Sequence, residues 1–217
     1  ISRSISPQIV KSYASGDKAR SEQLVIMASK YSFLVLLFVS SPFLVAPEWI
    51  FSIWLGTVPD CVIIFSILII IDALIGVFNA GIPDLIFASG NIKWYQIIVN
   101  TMFLLSIVAA FFVLRTGTPA YFLQITYILF SFVVLALRQI VLNKVVKFNN
   151  WKLVKESYFP CIIVAICFVP IIFLKSLVHP VVMIIVSLLY LVALDFIIVL
   201  SRAERQYISS FINNKFK

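Results

Sequence analysis

From Ser32 onward the chain is a series of long apolar runs separated by short polar turns. A helix needs about 20 mostly apolar residues to cross a bilayer. Six runs qualify: Ser32 to about Leu55, Cys61 to about Ser89, Tyr95 to Leu114, Ala120 to Leu142, Ser157 to Leu177, and Pro180 to Ser201. An open strand cannot satisfy its backbone groups in hydrocarbon, so all six are expected to be helices. The expected fold class is therefore all-α, a polytopic membrane protein with six transmembrane helices.

The flanks refine this pattern. Asp17 is placed to cap an amphipathic, cytoplasmic helix running to Lys30. Pro42 and Pro47 interrupt the first apolar run, and Pro47-Glu48-Trp49-Ile50 is expected to start a short interfacial helix. Gly56-Thr57-Val58-Pro59 reads as the turn after it. Near the C-terminus Tyr207, Ile208, Phe211 and Ile212 share one helical face, with Lys215 and Lys217 beyond, as in a helix lying on a membrane surface. Trp49, Trp54, Trp94, Tyr95 and Trp151 fall near the ends of spans, where aromatic rings favour head-group depth.

Composition supports a bilayer as the solvent. Apolar residues make up 62% of the 217 residues and charged residues 12%, against roughly 45–50% and about 25% in a soluble domain. The mean hydropathy is +1.10. The net charge of +8 would point to nucleic acid in a soluble chain. Here it has a topological reading. With the N-terminal side inside, only Arg115 and Lys175 of the 17 Lys and Arg fall outside. Basic residues collect in short cytoplasmic loops, so six spans with both ends cytoplasmic are expected, in contact with membrane lipids and with no nucleic-acid partner. Cys61, Cys161 and Cys167 lie in apolar stretches without CxxC spacing and read as buried small hydrophobes. The chain opens Ile1-Ser2-Arg3, with neither methionine nor a signal-peptide pattern, and reads as part of something longer.

Polar residues inside spans are costly, so their positions carry information. In the second span Asp72, Gly76, Asn79 and Pro83 are spaced to share one helical face, with Gly81 and Asp84 close by. That face is either the wall of a water-filled cavity or a tight helix contact. In the fourth span Gln124, Tyr127, Ser131 and Arg138 also share a face. Arg138 lies deeper than the loop lysines. It is either a phosphate contact, through its planar fork of donors, or a snorkelling anchor. Asp195 stands alone near the middle of the sixth span with Ser187 two turns away, either an ion site or half of a buried pair. Gln96 and Asn100 give the third span a weaker polar edge. His179 is the only histidine, and no HExxH, GxSxG or P-loop pattern occurs, so neither a cofactor nor enzymatic catalysis is expected.

Four motifs in order resemble one family. Pro7-Gln8-Ile9-Val10-Lys11-Ser12-Tyr13-Ala14-Ser15-Gly16-Asp17 is similar to a cytoplasmic loop of bacterial polysaccharide flippases. Ile53-Trp54-Leu55-Gly56-Thr57-Val58-Pro59 resembles their outer turn. Asn79-Ala80 with Ala88-Ser89-Gly90-Asn91-Ile92-Lys93-Trp94-Tyr95-Gln96 resembles an inner turn, departing at Asn91, where the family often has lysine. The family is the Wzx-type O-antigen flippases, in the superfamily that includes multidrug (MATE) exporters. The resemblance covers residues 5 to about 150, and the last two spans match in hydropathy only.

It implies the C-terminal part of a MATE-like transporter of 12–14 helices, divided as a cytoplasmic amphipathic segment (1–31), four helices of a transporter bundle (32–150), two additional helices (151–201) and a basic tail (202–217). It further implies flipping of undecaprenyl-diphosphate-linked oligosaccharide across the bacterial inner membrane by ion-coupled alternating access, with polysaccharide polymerases as possible partners. Arg138, Gln124, Asn79 and Asp72 are then candidates for substrate contact, and Asp72 and Asp195 for a coupling proton or sodium ion. The rivals are a drug or metabolite exporter of the same superfamily, a membrane enzyme of polysaccharide assembly, and an assembly or channel subunit. The short outer loops argue against the enzyme.

The charge asymmetry has a direct check. In a cysteine-free background in intact bacteria, an impermeant thiol reagent should label Thr118→Cys, but label Ser89→Cys and Asn149→Cys only after permeabilisation. Labelling of Asn149→Cys in intact cells would overturn the orientation.

Overall fold

The computed structural model describes residues 2–174 and 178–199. The expectations for Lys175, for the span ends at Leu177 and Ser201, and for the tail 202–217 lie outside those residues. The described chain is helical throughout: α1 (Ser2–Ala14), α2 (Lys18–Val45), α3 (Pro47–Leu55), α4 (Val62–Val77), α5 (Ile82–Ala88), α6 (Ile92–Arg115), α7 (Tyr121–Val146), α8 (Asn150–Leu153), a π-helical turn π1 (Val154–Tyr158), α9 (Phe159–Phe173), α10 (Pro180–Leu194) and a second π-helical turn π2 (Asp195–Val199). Among the described residues six helical stretches are long and apolar enough to cross a membrane, α4 with α5 and α8 with α9 each counting as one. The protein is an all-α, multi-pass membrane protein, as the apolar pattern predicts.

The first boundary differs from the sequence expectation. Asp17 does cap, its Oδ1 accepting from the Arg20 backbone N–H at 3.0 Å. But the helix does not stop at Lys30; it continues as one 28-residue rod to Val45. No glycine or proline lies between Asp17 and Pro42, so nothing breaks it. At 1.5 Å per residue such a rod is about 42 Å long, more than the roughly 30 Å hydrocarbon core. The rod is therefore longer than a perpendicular crossing requires. It ends at Ala46, where the following Pro47 disfavours helical backbone, and Pro47 then starts α3 as an N-terminal proline.

α2 is the axis of the fold. Of its most apolar stretch 56% is buried, against 11% for α6. It packs against α1, α4, α9 and α10, while α6 packs on α7 and, at one end, α5. α6 accordingly exposes Phe103, Leu104, Phe111 and Phe112, side chains that suit lipid or another helix.

The second span is broken. α4 stops at Val77, a turn follows, and α5 starts at Ile82. Pro83 requires this, because it has no N–H and its ring would clash with the Asn79 carbonyl in a continuous helix. Gly81 makes the turn with φ +80°. A freed carbonyl in lipid must find donors. The Phe78 carbonyl accepts from Ser29 Oγ of α2 at 3.0 Å and from the Tyr158 hydroxyl of π1 at 3.1 Å. The Phe78 ring stacks on Phe33, centroids 4.7 Å apart, and packs on Tyr158 at 4.6 Å. Ser157 Oγ donates to Ser29 Oγ at 3.0 Å and Gln139 Nε2 to the Tyr158 hydroxyl at 2.5 Å. The π-helical turn brings the consecutive residues Ser157 and Tyr158 both into this core, π-helical turns being frequent where local geometry serves a special contact.

Gly81 and Gly90 separate strain from crowding. Both have positive φ, but a Cβ at Gly81 would lie 3.2 Å from the Val25 Cα and from the Ile9 side chain, whereas Gly90 is open. Gly90→Ala should cost only the left-handed penalty of about 1–2 kcal/mol. Gly81→Ala should cost clearly more, because the α2 backbone must move. Equal losses in denaturation of the purified protein would refute this account of the packing.

Candidate functional site

The two polar faces read from the sequence meet. Asp72 on α4 accepts from Ser131 Oγ at 2.5 Å and from Gln124 Nε2 at 3.2 Å, both on α7. Asp72, Tyr127, Ser131 and Arg138 line one cavity of about 390 Å³, which α6 completes with Ser106, Met102 and Phe103. The 3.6-residue period puts Tyr127, Ser131 and Arg138 on one side of α7, and the same side of α7 packs on α4. Both oxygens of Asp72 are thus occupied by neutral donors rather than by the arginine.

Arg138 stands differently in the same cavity. Its Nε is buried and has no hydrogen-bond partner among the described residues. Its guanidinium carbon lies 5.7 Å from the centre of the Tyr95 ring. Tyr95 is 3% exposed, and its hydroxyl also lacks a partner among the described residues. Tyr95 was expected at the head-group boundary with Trp94. The two separate: Trp94 is 61% exposed and Tyr95 turns inward. Consecutive helix residues point about 100° apart, so one of the pair faces the bundle when the other faces out. A buried donor without a protein acceptor is rare and calls for a partner of some kind. Asp72, Tyr127, Ser131 and Arg138, with Ser106, are the polar part of a wall whose remainder is apolar, Val99, Phe130 and Val134 included.

Other candidates separate from this cavity. Asn79 is expected on the Asp72 face, but the break after Val77 takes it out of the helix. It is buried at 6% exposure in the turn, with Oδ1 unpartnered among the described residues, and does not line the cavity. Pro83 belongs to α5 and is off that face for the same reason. Asp195 is the first residue of π2, in the last of the described spans. Its Oδ1 is buried without a partner among the described residues. It sits on the α2–α9–α10 side, within electrostatic range of Cys161, as is Lys30. Ser187 bonds within its own helix, to the Ile184 carbonyl at 2.8 Å. Gln96 and Asn100 pair with each other on an exposed face. His179 caps α10, its Nδ1 accepting from the Val181 N–H at 3.4 Å. No cluster of three or more His, Cys, Asp or Glu side chains suited to a metal occurs among the described residues.

Lys30 is the residue sequence reading placed least well. Grouped with the loop lysines, it is 8% exposed, with Nζ 3.4 Å from the Val199 carbonyl and 5.0 Å from the centre of the Tyr31 ring. Its position 12 residues into α2 gives the only sequence signal, and that signal appears only once the helix is known not to stop there. The chain matches no protein-family model, no curated protein and no solved structure.

The cavity geometry predicts a specific energetic coupling. A double-mutant cycle between Asp72→Asn and Ser131→Ala should give about 0.6 kcal/mol, the average for interhelical hydrogen bonds in a membrane, and no more than about 1.7 kcal/mol. Asp72→Asn with Asn79→Ala should be additive to within about 0.5 kcal/mol. Significant coupling to Asn79 would mean the α4–α5 break does not separate the two.

Proposed function

We propose that the chain is part of a flippase that carries an undecaprenyl-diphosphate-linked oligosaccharide, an O-antigen or capsule repeat unit, from the cytoplasmic to the periplasmic leaflet of the bacterial inner membrane. The observation that carries the reading is the buried Nε of Arg138, unpartnered among the described residues, in a cavity between spans that it shares with Asp72 and Ser131. A guanidinium held at such a depth is expensive unless it meets an anion. A diphosphate has the same problem in reverse, because its burial in hydrocarbon costs far too much without compensation. The planar fork of arginine matches phosphate oxygens with charge-assisted, directional hydrogen bonds. The motif resemblance over residues 5 to about 150 supports the same family of cargo.

In this reading the protein makes and breaks no bonds in its cargo. It rocks between inward-open and outward-open states around a midplane site, as two-bundle transporters do. A cavity of about 390 Å³ accommodates the diphosphate and its first contacts rather than the whole glycan, so the other helices of a larger transporter supply the remaining wall. Gln124 and Ser131 hold Asp72 in place. Asp72 is the better candidate for a coupling proton or sodium ion, because it shares the cavity with Arg138; Asp195 is the second.

Arg138→Ala in the full-length protein is expected to abolish surface O-antigen or capsule at unchanged protein level, and Arg138→Lys to retain only a fraction. The decisive measurement is a leaflet-resolved assay of lipid-linked sugar. Normal appearance of the sugar at the periplasmic face in the Arg138→Ala strain would sink the reading.

A further inference from the structure

A chain of contacts runs from α1, outside the cavity, to the arginine inside it. α1 is seated by Ile9, fully buried against the Gly81 turn, and Ser6 Oγ donates to Asp84 Oδ2 of α5 at 2.7 Å. Three residues after Asp84, Phe87 meets the Tyr95 ring edge to face, centroids 5.9 Å apart and planes at 83°. The Tyr95 ring in turn carries the Arg138 guanidinium at 5.7 Å. Each contact joins a different pair of elements: α1 to α5, α5 to α6, α6 to α7.

Two features make this chain more than packing. α5 is only seven residues long and is cut from α4 by the Phe78–Gly81 turn, so its orientation is set by what it packs against rather than by a continuous helix. And arginine has many rotamers; an aromatic face is one of the few partners that fixes a guanidinium plane without occupying its hydrogen-bond donors. A ring under Arg138 therefore aims the charge and leaves Nε available, which is the state observed.

We infer that Tyr95 is a positioning residue for Arg138 and that the seating of α1 on α5 controls it: with α1 docked, Phe87 holds the Tyr95 ring beneath the guanidinium and the charge faces the cavity, and when α1 lifts, the charge leaves it. The inference rests on reading Arg138 as the cation of the cavity, and it makes α1 a regulator of that site. A helix outside the six spans would thereby gate the electrostatics of the cavity without touching cargo.

The test reads the local charge directly. In the full chain with Cys61, Cys161 and Cys167 replaced by alanine, Met102→Cys is a reporter within the cavity. Its reaction rates with an anionic and a cationic methanethiosulfonate reagent of similar size are measured in nanodiscs, and their ratio is taken. The ratio cancels changes in access and reports the field. Arg138→Gln should lower the anionic-to-cationic ratio about fivefold or more, as loss of a nearby unit charge in a partly screened site requires. Tyr95→Ala and the pair Ser6→Ala with Ile9→Ala should lower it in the same direction, while Tyr95→Phe, which keeps the ring, should leave it unchanged. Phe87→Ala gives the same reading if Tyr95→Ala does not yield folded protein.

A wild-type ratio in Tyr95→Ala or Phe87→Ala overturns the positioning role. So does a drop in Tyr95→Phe as large as that in Tyr95→Ala. A wild-type ratio in the α1 pair overturns control by α1, and an unchanged ratio in Arg138→Gln overturns the whole inference. No cargo and no transport enter the measurement, so failure of the export reading and failure of this inference are separate results.

Discussion

A helix interrupted within a membrane frees backbone groups that lipid cannot satisfy, and the fold is arranged around one such interruption. Pro83 and Gly81 end α4 early and leave the Phe78 carbonyl without its helical partner. Two donors from different elements converge on it, Ser29 of α2 and Tyr158 of π1. The same residue offers its ring to Phe33 and Tyr158. One residue thus ties the broken span to both neighbouring walls of the bundle. The π-helical turn belongs to the same solution, because it lets the adjacent residues Ser157 and Tyr158 both reach inward.

The interruption also shapes the cavity. While α4 remains helical, Asp72 faces α7 and is held by Ser131 and Gln124. Beyond the break the register is lost, and Asn79 is buried in a different environment. The short α5 then connects the cavity to the segment outside it, because its position depends on α1 on one side and on Tyr95 on the other. A straight second span would have put Asn79 and Pro83 beside Asp72 and left α1 with no link to Arg138.

Charge distribution within the spans follows from the cost of each group in lipid. Asp72 is matched with neutral donors, Lys30 reaches a backbone carbonyl and an aromatic ring, and Arg138 rests on an aromatic ring with a donor to spare. The first two are settled internally. The third keeps a buried Nε that has no acceptor among the described residues.

The amino-acid sequence alone determined the six apolar spans, their helical nature, the Asp17 cap, the short helix after Pro47 and the polar face of α7, because each follows from local period, length or a single residue's backbone chemistry. It also marked Asp72 and Arg138, since a charge within an apolar run is conspicuous whatever the fold. Tertiary structure decided the rest. The α2 helix runs past Lys30 for a local reason, the lack of any breaker before Pro42, but the burial of Lys30 depended on Val199, which lies 169 residues away in the chain. The inward turn of Tyr95, rather than Trp94, depended on which side of α6 met α7. That Asn79 leaves the Asp72 face while Ser131 joins it depended on where the broken helix found donors for its Phe78 carbonyl, and those donors lie 49 and 80 residues away in the chain.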